Sequence, residues 1–167
     1  MTNSDSSPSA VRVVVGTRQE YLEAFDAVLG LARRELRIFD PDLAQLELDA
    51  PERIERLAAF LRATRGNRLL IAVHDPSHLA RHAPRLARLI AAFCADVAVH
   101  QTTGEAARVQ DCFVLADGEH VVRRAVATHP RGAFIRDDPH EGALMRERFD
   151  QIWESSEPTA PPTTLGL

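Results

Sequence analysis

Several arginines lie close together late in the sequence, where their charge and hydrogen-bonding geometry could bind an anion. They are Arg108, Arg123, Arg124 and Arg136. The planar guanidinium presents paired N–H donors that match the oxygens of a phosphate or a carboxylate. In a β-strand, the neighbours Arg123 and Arg124 would leave opposite faces of the sheet. These four residues are therefore the candidate anion-binding residues, although arginine is also used as solvated surface on nearly every helix.

Three histidines recur at four-residue spacing, at His74, His78 and His82. This spacing would place two metal ligands on one helix face. No nearby glutamate completes a metalloprotease-type motif, and Pro76 and Pro84 limit the segment to a short helix. The glycines are isolated and form no phosphate-binding loop. We therefore expect no metal site, no bound cofactor and no catalytic residue of a recognised hydrolase type.

Alternating strands and helices should position these groups. The apolar runs that predict strands are residues 11–15, 36–39, 69–73, 97–100, 112–116, 120–123 and 133–135. The segments that predict helices are residues 18–34, residues 51–66, a short segment at 75–83, and residues 84–95 and 139–154. Thr17 should cap the first helix, with Glu20 completing a capping box. This order predicts an α/β fold with a mixed, mostly parallel central sheet sandwiched between helices.

A dipeptide, Asp117-Gly118, separates two of the predicted strands. Such a pair between apolar runs is a strong signal for a β-hairpin, because both residues tolerate the left-handed backbone of a tight turn. This turn would account for Asp117 without any chemical role.

Composition predicts the extent of the ordered domain and the compartment of the protein. An ordered domain is predicted at residues 11–154, between an N-terminus (1–10) and a Pro/Thr-rich tail (155–167) that are both expected to be disordered. The net charge of −4 predicts no general nucleic-acid binding. No apolar run approaches a membrane span, and no secretory signal is recognised, so we expect a cytoplasmic protein. Cys94 and Cys112 lie in apolar runs and should be buried free thiols.

Three stretches resemble a single repeat of the phospholipase D superfamily: the helix-to-strand junction at residues 32–39, the hairpin at 113–122, and the ending at 138–153. Members of that superfamily carry His-x-Lys-x4-Asp on the hairpin, where the histidine attacks a phosphodiester and the lysine holds a non-bridging oxygen. Residues 110–117 read QDCFVLAD. Asp117 matches the aspartate, but Gln110 replaces the histidine and Cys112 replaces the lysine.

The resemblance therefore implies a degenerate, non-catalytic member that binds a phosphate-containing ligand or a protein partner. It also implies a homodimer, because single-repeat members build their cleft from two copies. Two alternatives stay open. One is an active phosphodiesterase that uses a histidine outside the motif, such as His100 or His120. The other is a structural accessory domain that docks on another protein.

Overall fold

The computed structural model describes residues 9–160 and contains one mixed sheet between helices. The strands are β1 (Val11–Val15), β2 (Glu35–Asp40), β3 (Arg68–Val73), β4 (Val97–Thr102), β5 (Cys112–Ala116), β6 (His120–Arg124), β7 (Gly132–Arg136) and β8 (Ser156–Pro158). The helices are α1 (Arg18–Leu31), α2 (Pro51–Ala63), α3 (Ser77–His82), α4 (Pro84–Ala92) and α5 (Pro139–Glu154), with 3-10 turns at Ala44–Leu46 and Gly104–Arg108. None of the described helices is both long and apolar enough to cross a membrane.

The strand order is β1-β7-β6-β5-β2-β3-β4-β8. The predicted α/β sandwich with a mixed sheet is confirmed. Parallel pairing is confined to β2 with β3 and β3 with β4, and the other five pairings are antiparallel. The parallel share is smaller than the sequence predicts, because the β5–β6 hairpin, its return strand β7 and both edge strands pair antiparallel.

Helices cover both faces of the sheet, and the sheet separates the hydrophobic core into two clusters. On one face α1, α2 and α4 pack on the sheet through residues such as Phe25, Leu57 and Leu86. On the other face α5 packs Phe149 and Ile152 against Phe39 and Phe113 of the sheet, with Met145 beside them. The all-apolar run of β3 is buried at the centre, as expected for a strand covered on both sides.

Three helices end earlier than predicted. The helix expected to reach Arg34 ends at Leu31, because Ala32 is extended. The helix predicted to end at Gly66 stops at Ala63, and α4 stops at Ala92. As a result Cys94 lies in the turn after α4 and is exposed, so the prediction that it is buried is wrong, whereas Cys112 is buried.

The predicted disordered tail begins with ordered structure. Residues Ser156–Pro158 form β8 and pair with β4, and the Thr159 amide continues the contact by donating to the Val99 carbonyl at 2.9 Å. The boundary drawn at Glu154 is therefore too early, because β4 offers an unpaired edge that this segment covers. Residues 1–8 and 161–167, where disorder was also expected, lie outside the described residues.

Candidate anion-binding site

The residues that could do chemistry lie on the β5–β6 hairpin, whose two ends differ. Pairing runs from Cys112 opposite Arg124 to Ala116 opposite His120. We call residues 109–112 with 123–125 the open end, and residues 116–120 the turn end. Four residues of extended strand separate the two ends by roughly 13 Å.

Asp117, at the turn end, stabilises the fold. Its φ is 54° and that of Gly118 is 73°, which confirms the predicted tight hairpin turn. The Asp117 carboxylate accepts hydrogen bonds from the backbone N–H groups of Arg33, Arg34 and Glu35, at 2.7, 2.8 and 3.0 Å. These N–H groups lie where α1 has ended and β2 begins. Asp117 therefore joins that junction to the turn.

The other two motif positions lie at the open end, and neither carries a group suited to phosphodiester cleavage. Gln110 is exposed, and a side-chain amide is neither a nucleophile nor a useful general acid at neutral pH. Cys112 is only 2% exposed, and its Sγ lies 3.6 Å from the Tyr21 hydroxyl oxygen. A buried thiol thus occupies the position where the resemblance expects a lysine ammonium.

Burial raises the pKa values of the ionisable groups around Cys112. The pKa of the Cys112 thiol rises to about 11, chiefly because burial excludes water and next because the Asp40 carboxylate disfavours a nearby thiolate. Burial likewise raises the pKa of Tyr21 and that of Asp40. Hydrogen bonds from the Leu43 and Asp42 amides oppose the rise at Asp40 without cancelling it. The Cys112 thiol is therefore a poor nucleophile at neutral pH.

Arg124 places a cation inside this buried group. The residue is 3% exposed, and its Cζ lies 4.0 Å from the centroid of the Tyr21 ring, within cation–π range. Its Nη1 donates to Oε1 of Gln45 at 2.8 Å. Within residues 9–160, no carboxylate oxygen lies within 4.0 Å of its nitrogens, and its Nε–H has no acceptor. A buried donor without an acceptor is unfavourable for folding, which makes Arg124 a candidate ligand contact.

A pocket of about 460 Å³ lies at the open end, and we call it the open-end pocket. It is lined by Val109, Gln110, Asp111, Arg123, Arg124, Ala125, Met145 and Arg148. Arg124 also lines a second pocket of about 390 Å³, beside Gln45 and His129. Arg124 therefore contributes to two neighbouring pockets.

The other two arginines of the open-end pocket are paired with acids. Arg148 donates from Nε and Nη2 to the two carboxylate oxygens of Asp111, at 2.7 and 2.6 Å, and these bonds raise the pKa of Arg148. Arg123 Nε lies 2.9 Å from Glu141 Oε1, but its N–H is not directed at that oxygen and has no acceptor in the described chain. Among the described lining arginines, Arg124 is therefore the one with no carboxylate oxygen within 4.0 Å, and its charge acts at longer range on the buried Asp40, whose pKa it lowers.

The structure brings together two of the four predicted anion-binding arginines. Arg123 contacts Glu141 of α5 and Arg124 contacts Tyr21 of α1, so the two leave opposite faces of β6 as alternation predicts. Both still line the pocket, which extends around the end of the hairpin. Arg108 is 81% exposed and pairs with Glu105, and Arg136 pairs with Asp137 at the far end of β7. Neither Arg108 nor Arg136 lines the open-end pocket.

The histidines considered as alternative nucleophiles lie elsewhere. His120 is 4% exposed at the turn end, and its Nδ1 accepts a hydrogen bond from the Asp137 amide at 3.1 Å. His100, on β4, stacks on Trp153 with ring centroids 3.6 Å apart, and its Nδ1 lies 2.9 Å from Ser156 Oγ. Burial lowers the pKa of His100. A reaction that used either histidine would need a site other than the open-end pocket.

The histidine-rich segment does not assemble a metal centre. His74 Nδ1 lies 2.6 Å from Thr102 Oγ1, and its Nε2 lies 2.8 Å from the Val109 carbonyl oxygen. His78 and His82 share a face of α3, with ring centroids 5.5 Å apart. Within residues 9–160, no group of three His, Cys, Asp or Glu side chains could hold a metal ion.

The sequence alone does not single out the residues that surround Arg124. Tyr21 belongs to the apolar stripe of α1, and Asp40 precedes a proline in an apparent turn, so each has an ordinary structural explanation. Gln45 and Arg148 match no motif. Only the hairpin register, which places Arg124 opposite Cys112, could have indicated that the motif position and the arginine are neighbours.

Residues 17–162 match the family described as a domain of unknown function, DUF7931. That match covers most of the chain. No curated protein sequence matches this chain.

Three solved structures share the fold. TrmBL2, an archaeal chromatin protein whose structure shows a novel mode of DNA binding, is 17% identical with a TM-score of 0.64, over 89% of this chain and 55% of its own. Nuc, a phospholipase D family member from Salmonella typhimurium, is 14% identical with a TM-score of 0.61, and the match covers 90% of this chain and 99% of Nuc. NucT from Helicobacter pylori is 12% identical with a TM-score of 0.60, and the match covers 90% of this chain and 100% of NucT. The chain thus spans about half of TrmBL2 and nearly all of Nuc and NucT. It belongs to the DUF7931 family and has a phospholipase D-like fold.

Proposed function

We propose that this chain is a non-catalytic phospholipase D-like domain that binds a phosphate-containing ligand in the open-end pocket. The observation that carries the proposal is the distribution of charge at that end. Gln110 and Cys112 offer neither a nucleophile nor a cation, whereas Arg124 is a buried cation with an unused N–H donor. Hydrogen bonds from arginine to phosphate oxygens are among the stronger ones in proteins.

The retained aspartate does not argue for catalysis. Covalent phosphodiester cleavage requires a nucleophile and groups that stabilise the charge developing on the phosphoryl oxygens. The Asp117 carboxylate already accepts three backbone amides, and Asp117 lies five residues, or roughly 16 Å of extended strand, from Cys112 at the open end. The turn and the junction that it stabilises are sufficient reason for an aspartate at this position.

Hydrolysis of bis(p-nitrophenyl) phosphate tests the non-catalytic part of the proposal. We expect no release of nitrophenol above the buffer rate from the full chain. Variants His100→Ala and His120→Ala, purified in the same way, serve as controls for contaminating enzymes. Turnover that disappears in either variant would contradict the proposal and would support a phosphodiesterase that uses a histidine outside the motif.

Titration with short single-stranded DNA and with soluble phospholipid headgroups tests the binding part. The likeness to TrmBL2 makes nucleic acid one source of phosphate to examine, although the net charge of −4 predicts no general affinity for it. Binding through Arg124 should weaken with rising salt and should be lost in Arg124→Ala. Affinity that is independent of salt, or unchanged in that variant, would contradict the proposal.

A homodimer and a cytoplasmic location form part of the same proposal. The resemblance to single-repeat phospholipase D-like proteins supports a twofold pair, and the free thiols of Cys94 and Cys112 suit a reducing compartment. Sedimentation at increasing concentration should show a mass that rises to that of two chains. A constant single-chain mass would contradict the homodimer.

One feature favours the alternative of a structural interaction domain. The valines of edge strand β1 are unusually exposed, with Val13 at 48% and Val14 at 63%, and an exposed edge strand can pair with another chain. A variant with Val13→Lys and Val14→Lys should leave ligand binding unchanged under our proposal. Loss of a protein partner without loss of ligand binding would support the interaction domain instead.

A further inference from the structure

We infer that Asp40 belongs to the open-end site, and that an anion binds at Arg124 together with a proton on the Asp40 carboxylate. This inference rests on the proposed function and adds the regulation of that site. A row of buried side chains that crosses three neighbouring strands carries it. The proton removes a negative charge that would otherwise lie near the bound anion.

Asp40, Cys112 and Arg124 lie side by side across the sheet. Cys112 pairs with Arg124 between β5 and β6, and Asp40 lies one residue beyond the last pair of β2 with β5, which places it beside Cys112. Neighbouring strands are about 4.8 Å apart, so the Cα atoms of Asp40 and Arg124 are roughly 10 Å apart. Tyr21 of α1 contacts both Cys112 and Arg124 from the same face of the sheet.

The members of this row are shielded from water. Asp40 is 5% exposed, and Tyr21, Cys112 and Arg124 are buried still more completely. Charges interact over longer distances where water is excluded. The Arg124 charge lowers the pKa of Asp40, and the Asp40 carboxylate in turn raises the pKa values of Tyr21 and Cys112. Asp40 and Arg124 are therefore coupled electrostatically without forming an ion pair.

Several effects set the protonation of Asp40. Within the described chain, the ionisable groups that face it are Tyr21 on α1, Cys112 on β5, Arg124 on β6 and Asp42 in the next loop. Its partner on β3 is the uncharged Val73. Burial raises the pKa of Asp40, against hydrogen bonds from the Leu43 and Asp42 amides. Both amides bond to Oδ2, at 2.7 and 3.2 Å, so a proton on Oδ1 would leave both bonds intact.

A bound anion would shift this balance toward the protonated form. Arg124 favours the Asp40 carboxylate, and an anion on the Arg124 Nε–H would cancel part of that effect. Asp40 would then bind a proton more tightly, and by linkage the protonated form would bind the anion more tightly by the same factor. Over roughly 13 Å in surroundings that partly exclude water, this factor is roughly fivefold to tenfold. Anion affinity should therefore rise as the pH falls through the pKa of Asp40.

The test follows the binding of dimethyl phosphate to the full chain between about pH 5 and pH 8. This probe keeps one negative charge throughout, so a change in affinity reports on the protein. We expect affinity to be roughly fivefold to tenfold higher when Asp40 is protonated. Calorimetry in two buffers with different ionisation enthalpies should show proton uptake on binding. In the full chain, the Asp40 carboxyl ¹³C resonance should titrate at higher pH when the probe is saturating.

Three variants identify the group that takes up the proton. Asp40→Asn keeps a carbonyl oxygen for the two backbone amides but cannot titrate, so its affinity should be high at both ends of the pH range. Asp42→Asn should keep the pH dependence, with its midpoint at lower pH because the Asp42 charge raises the pKa of Asp40. His129→Gln removes an exposed histidine that lines the second pocket with Arg124. Histidine is the usual group to titrate in this range, and this variant should also keep the pH dependence.

The outcomes separate the inference from the proposed function. Affinity that does not change with pH, or an Asp40 titration that is the same with and without the probe, would overturn the inference while the proposed function stands. A pH dependence that is lost in His129→Gln and kept in Asp40→Asn would also overturn it. The carboxyl titration uses the full chain, so it does not depend on the folding of any variant. Failure of dimethyl phosphate to bind at any pH would overturn the proposed function and the inference with it.

Discussion

The two ends of the β5–β6 hairpin differ in how fully their polar groups are satisfied. At the turn end, the Asp117 carboxylate accepts three backbone N–H groups, and the Gly118 and Gly142 backbones pack so closely that no Cβ would fit on Gly142. At the open end, the Nε–H groups of Arg123 and Arg124 are buried without an acceptor. The turn end stabilises the fold, whereas the open end has buried donors without acceptors and is where we propose that a ligand binds.

This difference shows that one sequence motif can have separable structural and chemical parts. The Asp117 carboxylate stabilises the junction of α1 and β2 by accepting three backbone N–H groups. Gln110 and Cys112 stand where the resemblance expects a histidine and a lysine, and Cys112 is part of the buried core beside Tyr21. An aspartate that stabilises a turn and a junction is therefore weak support for activity.

The largest effect should follow from a methyl group at the turn end. In Gly142→Ala the new Cβ would lie 1.7 Å from the Gly118 carbonyl oxygen, and backbone atoms must move to admit it. We expect a loss of about 3 kcal/mol or more in the free energy of unfolding, measured with denaturant. The matched control is Gly30→Ala in α1, where nothing lies within 4 Å and a gain of roughly 0.5 kcal/mol is expected. Equal effects of the two substitutions would show that the close packing is not rigid.

Removing the Asp117 carboxylate should have the next largest effect. Asp117→Ala loses three acceptor contacts and replaces an aspartate, which tolerates a φ of 54°, with an alanine, which tolerates it less well. We expect a loss of about 2–3 kcal/mol in the free energy of unfolding. Asp117→Asn keeps one acceptor oxygen and tolerates the left-handed backbone, so it should lose about half as much. A loss below about 0.5 kcal/mol in Asp117→Ala would contradict the structural role.

The corresponding change at the open end should have a small effect on stability. Arg124→Met replaces a buried cation with an apolar side chain, and such replacements are often neutral or stabilising. We expect a change of less than about 1 kcal/mol in the same denaturant measurement. A loss as large as that of Asp117→Ala would mean that Arg124 stabilises the fold, and the contrast between the two ends would fail.

The smallest expected effect is a difference in reactivity between the thiols of Cys94 and Cys112. Cys94 is exposed and should react at once with a disulfide reagent in the native protein at about pH 8, whereas Cys112 is buried with a pKa of about 11 and should react only after unfolding. Counting the thiols that react before and after adding denaturant checks this expectation. Rapid reaction of both in the native state would contradict the burial of the open-end core.

Much of the fold could be predicted from local patterns. The hairpin at Asp117-Gly118, the buried β3 and the full extent of α5 follow from turn chemistry, apolar runs and a capping residue before a proline. The early end of α1 could not be predicted, because the N–H groups of Arg33 and Arg34 bond to Asp117, distant in sequence. Strand β8 was missed for a similar reason, since it forms only against the edge of β4.

The site could be predicted only in part. The family resemblance gave the motif positions, and strand alternation predicted that Arg123 and Arg124 leave opposite faces of the sheet. Every one of the 20 basic residues is an arginine, so arginine type alone could not separate the buried Arg124 from the exposed Arg108. That distinction depends on tertiary packing, in which Tyr21 and Gln45 surround the Arg124 guanidinium and acids pair with Arg108, Arg123 and Arg148.

The most direct test of ligand binding at the open end is to observe the Arg124 Nε–H while dimethyl phosphate is added. In ¹H–¹⁵N spectra of arginine side chains, assigned with the Arg124→Met variant, we predict that the Arg124 Nε–H resonance shifts progressively to saturation. The resonance of exposed Arg108 should stay in place. Shifts confined to exposed arginines, with the Arg124 resonance unchanged, would contradict the claim that the open end of the hairpin is a binding site.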